Sequence, residues 1–100
     1  MSFLNQIFPS RPDFAALIAG GASIIDVRTP QEYRQGHVAG SVNIPLDQLP
    51  GKISQIKKMP APLILCCASG MRSGRATAQL KRAGMEAYNG GSWKAVARYV

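Results

Sequence analysis

Cysteine, histidine and acidic residues are all scarce in this chain. The two cysteines, Cys66 and Cys67, are adjacent, so a disulfide framework is excluded, and this fits a reducing compartment; the cytoplasm is the expected location. One histidine, His37, beside two neighbouring cysteines gives no metal-ligand spacing, so neither a metal nor a cofactor is expected. No apolar run approaches the ~18 residues that span a bilayer, and the opening Met1–Ser10 has no basic region followed by an apolar core. No membrane contact and no secretory signal are therefore expected. Aromatic residues number seven, and no helix-turn-helix, RNA-binding or zinc-finger spacing is present, which argues against nucleic acid as a partner despite a formal charge of +7. Residues 71–100 carry Arg72, Arg75, Lys81, Arg82, Lys94 and Arg98 against Glu86 alone, a surface that also suits a small anionic substrate.

What is present fits one globular domain over residues 1–100. Hydrophobic content of 46% and charged content of 17% are values of a folded chain at the size of a single hydrophobic core. A monomer or weak dimer is expected. Short apolar runs alternate with segments of helical period, and this order implies a parallel sheet with helices on both faces. Ile7-Phe8 is read as a brief first strand, closed by Pro9. Pro12 to Ala19 follows as a helix with Pro12 in its first turn and Gly20-Gly21 as its stop. Ala22 to Val27 reads as a buried strand. Thr29-Pro30, with Glu32 three residues after Thr29, is the start of a capped helix. Gly36 to Gly40 is loop and Ser41 to Asn43 a short strand. Leu46, Leu49, Ile53 and Ile56 mark an amphipathic segment that Pro50-Gly51 must interrupt. Leu63 to Cys66 and Glu86 to Tyr88 complete five strands, and Trp93, Val96, Ala97 and Val100 share one face of a closing helix.

The chemistry concentrates between Leu63 and Gly84. An apolar run of the kind buried on both faces of a sheet breaks into the small-residue loop Cys67-Ala68-Ser69-Gly70-Met71-Arg72 and resumes as a helix from Ser73, with Ala76, Leu80 and Ala83 on one face. Amides of such a loop and of the first helical turn lack intrahelical partners, and together with the helix dipole they favour an anion. A cysteine at that corner can have its pKa lowered from about 8.5 into the range of roughly 3.5–7.5, so that thiolate is present near neutral pH. Gly70 lets the backbone turn, Ser73 supplies a hydroxyl to the anion or a cap to the helix, and Arg72 brings a cation that attracts an anion or pins loop carbonyls. Cys67 is thus the candidate nucleophile. Cys66 lies within the apolar run and is read as packing, because neighbouring strand residues face opposite ways.

The loop Cys67-Ala68-Ser69-Gly70-Met71-Arg72-Ser73 resembles the active-site loop of the rhodanese (thiosulfate sulfurtransferase) family in its single-domain form. Asp26-Val27-Arg28, Glu32-Tyr33, Gly36-His37-Val38, Gly40-Ser41 and Asn43-Ile44-Pro45 resemble that family's upstream signature in the same order, and Gly90-Gly91-Ser92-Trp93 its C-terminal one. The resemblance runs from about Ile7 to the end. It implies an α/β fold with a central parallel five-stranded sheet and a cysteine that carries sulfur as a persulfide. Within it, Ala68, Ser69, Gly70, Met71, Arg72 and Ser73 are the candidate substrate-binding residues. Asp26, Arg28 and His37 are read as structural support near the site, Asp26 and Arg28 as an ion pair that holds loops, and His37 as part of the fold signature. Glu32 is a helix cap and Trp93 a core residue. Ala68 and Met71 stand where family members often carry arginine and a polar or charged residue, so Arg72 is the loop's only charge.

The expected reaction moves a sulfane sulfur from thiosulfate, or from a persulfide donated by a partner protein, onto the Cys67 thiolate. Cyanide or an acceptor thiol, including a protein thiol, then removes it. Sulfite leaves as a stable anion and needs no general acid. Two other classes share features of this loop: a phosphatase or arsenate-reducing cysteine enzyme, and a non-catalytic rhodanese-like interaction module. Cysteine phosphatases space the residues C-x5-R around a tetrahedral oxyanion. Here Cys67 to Arg72 is C-x4-R, a smaller cradle that suits one sulfur atom.

Overall fold

The apolar run Leu63–Cys67 forms the strand around which the molecule is layered, with all five residues buried. A computed structural model of the protein describes residues 12–100, so the strand expected at Ile7-Phe8 lies outside the described residues. The elements follow in the order α1 (Phe14–Ala19), β1 (Ser23–Asp26), α2 (Pro30–Arg34), β2 (Val42–Asn43), a 3₁₀ helix (Leu46–Lys52), α3 (Ile53–Lys57), β3 (Leu63–Cys67), α4 (Met71–Arg82), β4 (Ala87–Ser92) and α5 (Trp93–Ala97). The strands form one sheet in the order β2-β1-β3-β4, and every pairing is parallel. Among the described residues the sheet therefore has four strands, not the five expected.

Alternation along β1 and β3 divides the core in two. Ile25, Leu63, Leu65 and Cys67 point to one face, where Leu49, Ile56, Ala76 and Leu80 cover them from the 3₁₀ helix, α3 and α4. Ile24, Ile64 and Cys66 point to the other, packed against Phe14 of α1 and Val96 of α5. Helices lie on both faces, and the two cysteines belong to different cores.

Several boundaries differ from the sequence reading, each for a local reason. The first helix begins at Phe14 because the Asp13 carboxylate accepts the Ala16 amide at 3.1 Å as its cap, which leaves Pro12 ahead of the helix. The 3₁₀ helix contains Pro50, and the α-helical turns begin only at Ile53, beyond it. The helix after the cysteine loop starts at Met71, two residues earlier than Ser73. Gly70 has φ +100°, so the chain reverses in one residue and is helical at the next. The last strand continues to Ser92 because its pairing with β3 slips between Leu65 and Cys66: Leu65 faces Asn89 and Cys66 faces Gly91. Gly90 is the extra residue of that bulge.

Candidate active site

Cys67 ends β3, and α4 begins four residues later, so its side chain is enclosed by the turn between them. The Gly70 amide donates to Cys67 Sγ at 2.9 Å and the Ser73 amide at 3.4 Å, while the Ser73 hydroxyl lies 3.3 Å away. Cys67 is 0% exposed. Burial alone pushes a thiol's pKa up; the Ser73 hydroxyl and the amides of Ser73, Gly70 and Ser69 outweigh it, and the net shift is downward. Among the described residues no such donor reaches the neighbouring Cys66. Burial, followed by the Asp26 carboxylate, pushes its thiol up to about 12. Of the two free cysteines, the ionisable one is Cys67.

Asn89, at the bulge of β4, holds this loop, and the sequence reading passed over it. Its Oδ1 accepts from the Ser73 hydroxyl at 2.7 Å and from the Gly91 amide at 3.0 Å, and its Nδ2 donates to the Gly70 carbonyl at 3.0 Å. One amide side chain thus fixes Gly70 and Ser73, two of the three residues whose amides favour the thiolate. The only signal in the sequence is its place directly before Gly90-Gly91.

The remaining predicted residues fall into distinct places. Arg72 is engaged away from the sulfur: its Nη1 and Nη2 donate to Glu32 Oε1 and Oε2 at 2.7 and 3.0 Å, a bidentate pair between α4 and α2. Glu32 is at the same time the acid of the α2 capping box, accepting from the Thr29 amide at 3.0 Å while the Thr29 hydroxyl accepts from its own amide. The Arg72 fork, followed by the Thr29 amide, lowers the Glu32 carboxyl to about 2. Asp26 and Arg28 form a buried pair at 2.7 Å, 0% and 4% exposed. The same guanidinium donates to the carbonyls of Gly36 and Glu32 and stacks 4.9 Å over Trp93. Both residues therefore brace loops beside the site. His37 is exposed, stacks on Tyr33 at 3.7 Å and places Nδ1 2.8 Å from the Tyr33 carbonyl. It belongs to the connection after α2. Ala68 and Ser69 are exposed at the loop's mouth, and so is Met71, at 73%.

A cleft of about 320 Å³ is lined by Arg28, Glu32, Gln35, Gly36, Trp93 and Lys94, and meets the loop through Glu32, the partner of Arg72. A second cavity, about 210 Å³ and lined by Ile56, Met59, Leu63 and Met85 among others, lies at the amino end of β3, opposite Cys67. Among the described residues no group of three His, Cys, Asp or Glu side chains is placed to hold a metal ion, and no helix is long and apolar enough to cross a membrane.

The corner position of the cysteine, facing loop amides ahead of a helix, is what the loop sequence implied; its complete burial is not. The family model of the rhodanese-like domain matches residues 10–98. The chain belongs to the rhodanese-like family. Among relatives of this rhodanese-like domain, the uncharacterized protein YqhL of Bacillus subtilis is 44% identical over 69 residues, covering 68% of this chain and 54% of that protein. Thiosulfate sulfurtransferase GlpE of Ectopseudomonas mendocina is 34% identical, over 80% of this chain and 71% of the enzyme. A solved rhodanese with anions from Escherichia coli superposes with a TM-score of 0.69 at 33% identity, over 76% of this chain and 92% of that one. The chain thus spans about half the length of YqhL, and 59% of the thiosulfate sulfurtransferase PspE of Escherichia coli.

Proposed function

We propose that this rhodanese-like domain is a sulfurtransferase that carries a sulfane sulfur on Cys67. The observation that carries the reading is the Cys67 sulfur receiving the Gly70 amide at 2.9 Å with the Ser73 amide and hydroxyl beside it. In the first step the Cys67 thiolate attacks the outer sulfur of thiosulfate, a sulfur–sulfur bond forms, and the donor's bond breaks with its electron pair on sulfite. The charge that was on the thiolate ends on the outer persulfide sulfur, which the same amides are positioned to stabilise. In the second step cyanide or an acceptor thiol, that of a partner protein included, attacks the outer sulfur and Cys67 leaves as thiolate. No general acid is required, which agrees with the place of His37 on Tyr33. Cys67 is fully covered, so the donor sulfur reaches it only when the surrounding loop moves. Two unpaired thiols agree with a reducing compartment such as the cytoplasm, and a monomer or weak dimer suffices for the chemistry.

Phosphate chemistry fits less well, because Arg72 spends its fork on Glu32 where a phosphatase would need it for the oxyanion. The test is intact mass after incubation with thiosulfate. Wild type and Cys66→Ala should each gain one sulfur atom that a reductant removes, and Cys67→Ser should gain none. Sulfur loading of Cys67→Ser would overturn the reading, as would an unloaded wild type that hydrolyses an aryl phosphate.

A further inference from the structure

We propose that the solvent face of α4 docks an acidic acceptor protein, one whose thiol collects the sulfur from Cys67. The inference rests on the sulfurtransferase reading above and names the partner and its landing surface. Ser73, Ala76, Thr77 and Leu80 are the buried side of α4. Opposite them, at steps of four, three and four residues, Met71, Arg75, Ala78 and Arg82 form one stripe. At about 1.5 Å per residue the stripe runs about 16 Å, from the loop beside Cys67 to the far end of the helix. Met71 is 73% exposed, the most exposed large hydrophobic among the described residues, and Arg75 and Arg82 are exposed as well. A merely solvated helix face mixes charges of both signs. This one does not. α4 holds no acidic residue, not even in its first turn, where the helix dipole favours one. Among the described residues no carboxylate lies within ion-pair distance of Arg75 or Arg82; the ion pairs belong to Arg28 and Arg72. Methionine and arginine are side chains enriched where proteins meet, and the small Ala78 between the two arginines leaves room for close approach. An acidic partner supplies the missing charge. An RNA strand would supply it too, but α4 carries no aromatic ring on which bases could stack.

The stripe begins directly after Gly70, whose amide donates to Cys67 Sγ, so a partner lying along it presents its thiol at the segment that must move to uncover Cys67. The partner's thiolate bonds to the outer sulfur of the Cys67 persulfide, and the bond to Cys67 breaks with its electron pair on Cys67. The sulfur leaves as a persulfide anion on the partner and Cys67 returns to the thiolate. No oxidant or reductant is consumed.

The probe is a peptide of about ten residues, a terminal cysteine followed by alternating glycine and glutamate, long enough when extended to cover the stripe. The same peptide with lysine in place of glutamate, and 2-mercaptoethanol, are the comparisons. Protein loaded with sulfur from thiosulfate is freed of donor, and its discharge to each thiol is followed by intact mass at low ionic strength. Neighbouring charges alter a peptide's own thiol, so each rate is compared between proteins for one and the same thiol. Arg75→Glu should slow discharge to the glutamate peptide about tenfold, a modest degree of electrostatic steering, and should speed the lysine peptide. Discharge to 2-mercaptoethanol should not change. Arg82→Glu should slow the glutamate peptide too, and carries the test if Arg75→Glu fails to fold. Arg98→Glu makes the same change of net charge on α5, which packs on the other face of the sheet, and should have far less effect. In roughly 1 M salt, where the Debye length is about 3 Å, wild type and Arg75→Glu should converge. A glutamate peptide discharged equally by wild type and both stripe variants overturns the proposal, as does an equal loss in Arg98→Glu, which would make the effect one of net charge. A fluorescein-labelled oligouridine that binds wild type and not Arg75→Glu, with peptide discharge unmoved, assigns the stripe to nucleic acid and overturns it as well. If wild type loads sulfur but discharges without regard to charge, the docking surface alone is refuted. If it never loads, the sulfurtransferase reading falls and takes this one with it.

Discussion

At the scale of single residues, Cys66 and Cys67 show how far one step along a strand can change a thiol. Cys66 faces the α1–α5 core, where burial holds it protonated, at about 12. Cys67 faces the other side and the turn into α4, where three backbone amides and a hydroxyl favour the anion. Alkylation by iodoacetamide should therefore find one fast thiol, with its pH midpoint below the ordinary thiol value of 9.0. Ser73→Ala removes the largest of the stabilising contacts and should move that midpoint upward, measured as alkylation rate against pH. An unmoved midpoint would assign the stabilisation to the amides alone. Cys67 was legible in the sequence because its position, the first residue of a small-residue loop after an apolar run, is a local property; that the strand runs one residue further, through Cys67, was not. Asn89 was not legible. Its contacts with Ser73 and Gly70 exist only because the β4 register slips at Gly90, and neither hydrophobic period nor spacing reports a bulge.

At the scale of elements, the Arg72–Glu32 pair joins α4 to α2 across 40 residues of sequence. The capping box Thr29-x-x-Glu32 could be read from the sequence, since both partners lie within four residues. Its second use, as the acceptor for Arg72, could not, because spacing rules reach only along one element. The pair also makes a pH prediction. Glu32 titrates at about 2 in the folded chain against 4.5 ordinarily, so folding favours its ionised form. The stabilisation is accordingly complete above the ordinary value and is lost as pH falls from about 4.5 to about 2. Both side chains are about a third exposed, 34% and 35%, so solvent discounts the pair to roughly 0.5–1 kcal/mol. Wild type should exceed Arg72→Gln by that amount in urea unfolding at pH 7, and the difference should close near pH 2. A difference independent of pH would assign the role of Arg72 to packing of its methylene stem.

At the scale of the whole molecule, the order of strands and helices and the helices on both sides of the sheet followed from patterning, because alternation along β1 and β3 writes two buried faces into the sequence. The ends of elements followed less well, since Asp13, Gly70 and Gly90 set them through a cap, a turn and a bulge. Gly90 shows why one of these positions binds the layers together. A Cβ built there would lie 2.7 Å from Val96 Cγ2, 2.9 Å from Ile64 Cγ2 and 3.2 Å from the Leu65 carbonyl oxygen. The glycine lets α5 close onto β3 across β4, with Val96 and Ile64 meeting where a side chain would stand. Gly90→Ala should then cost about 1–3 kcal/mol by overpacking, read from the urea midpoint. Val96→Ala alone should cost a comparable amount by leaving a cavity, since Val96 is 0% exposed. Combined, the two should cost less than their sum, because the methyl added at residue 90 occupies part of the space that Val96 vacates. Additive losses would show that the constraint at Gly90 comes from Ile64 and the Leu65 carbonyl, and that α5 can shift to accommodate the methyl.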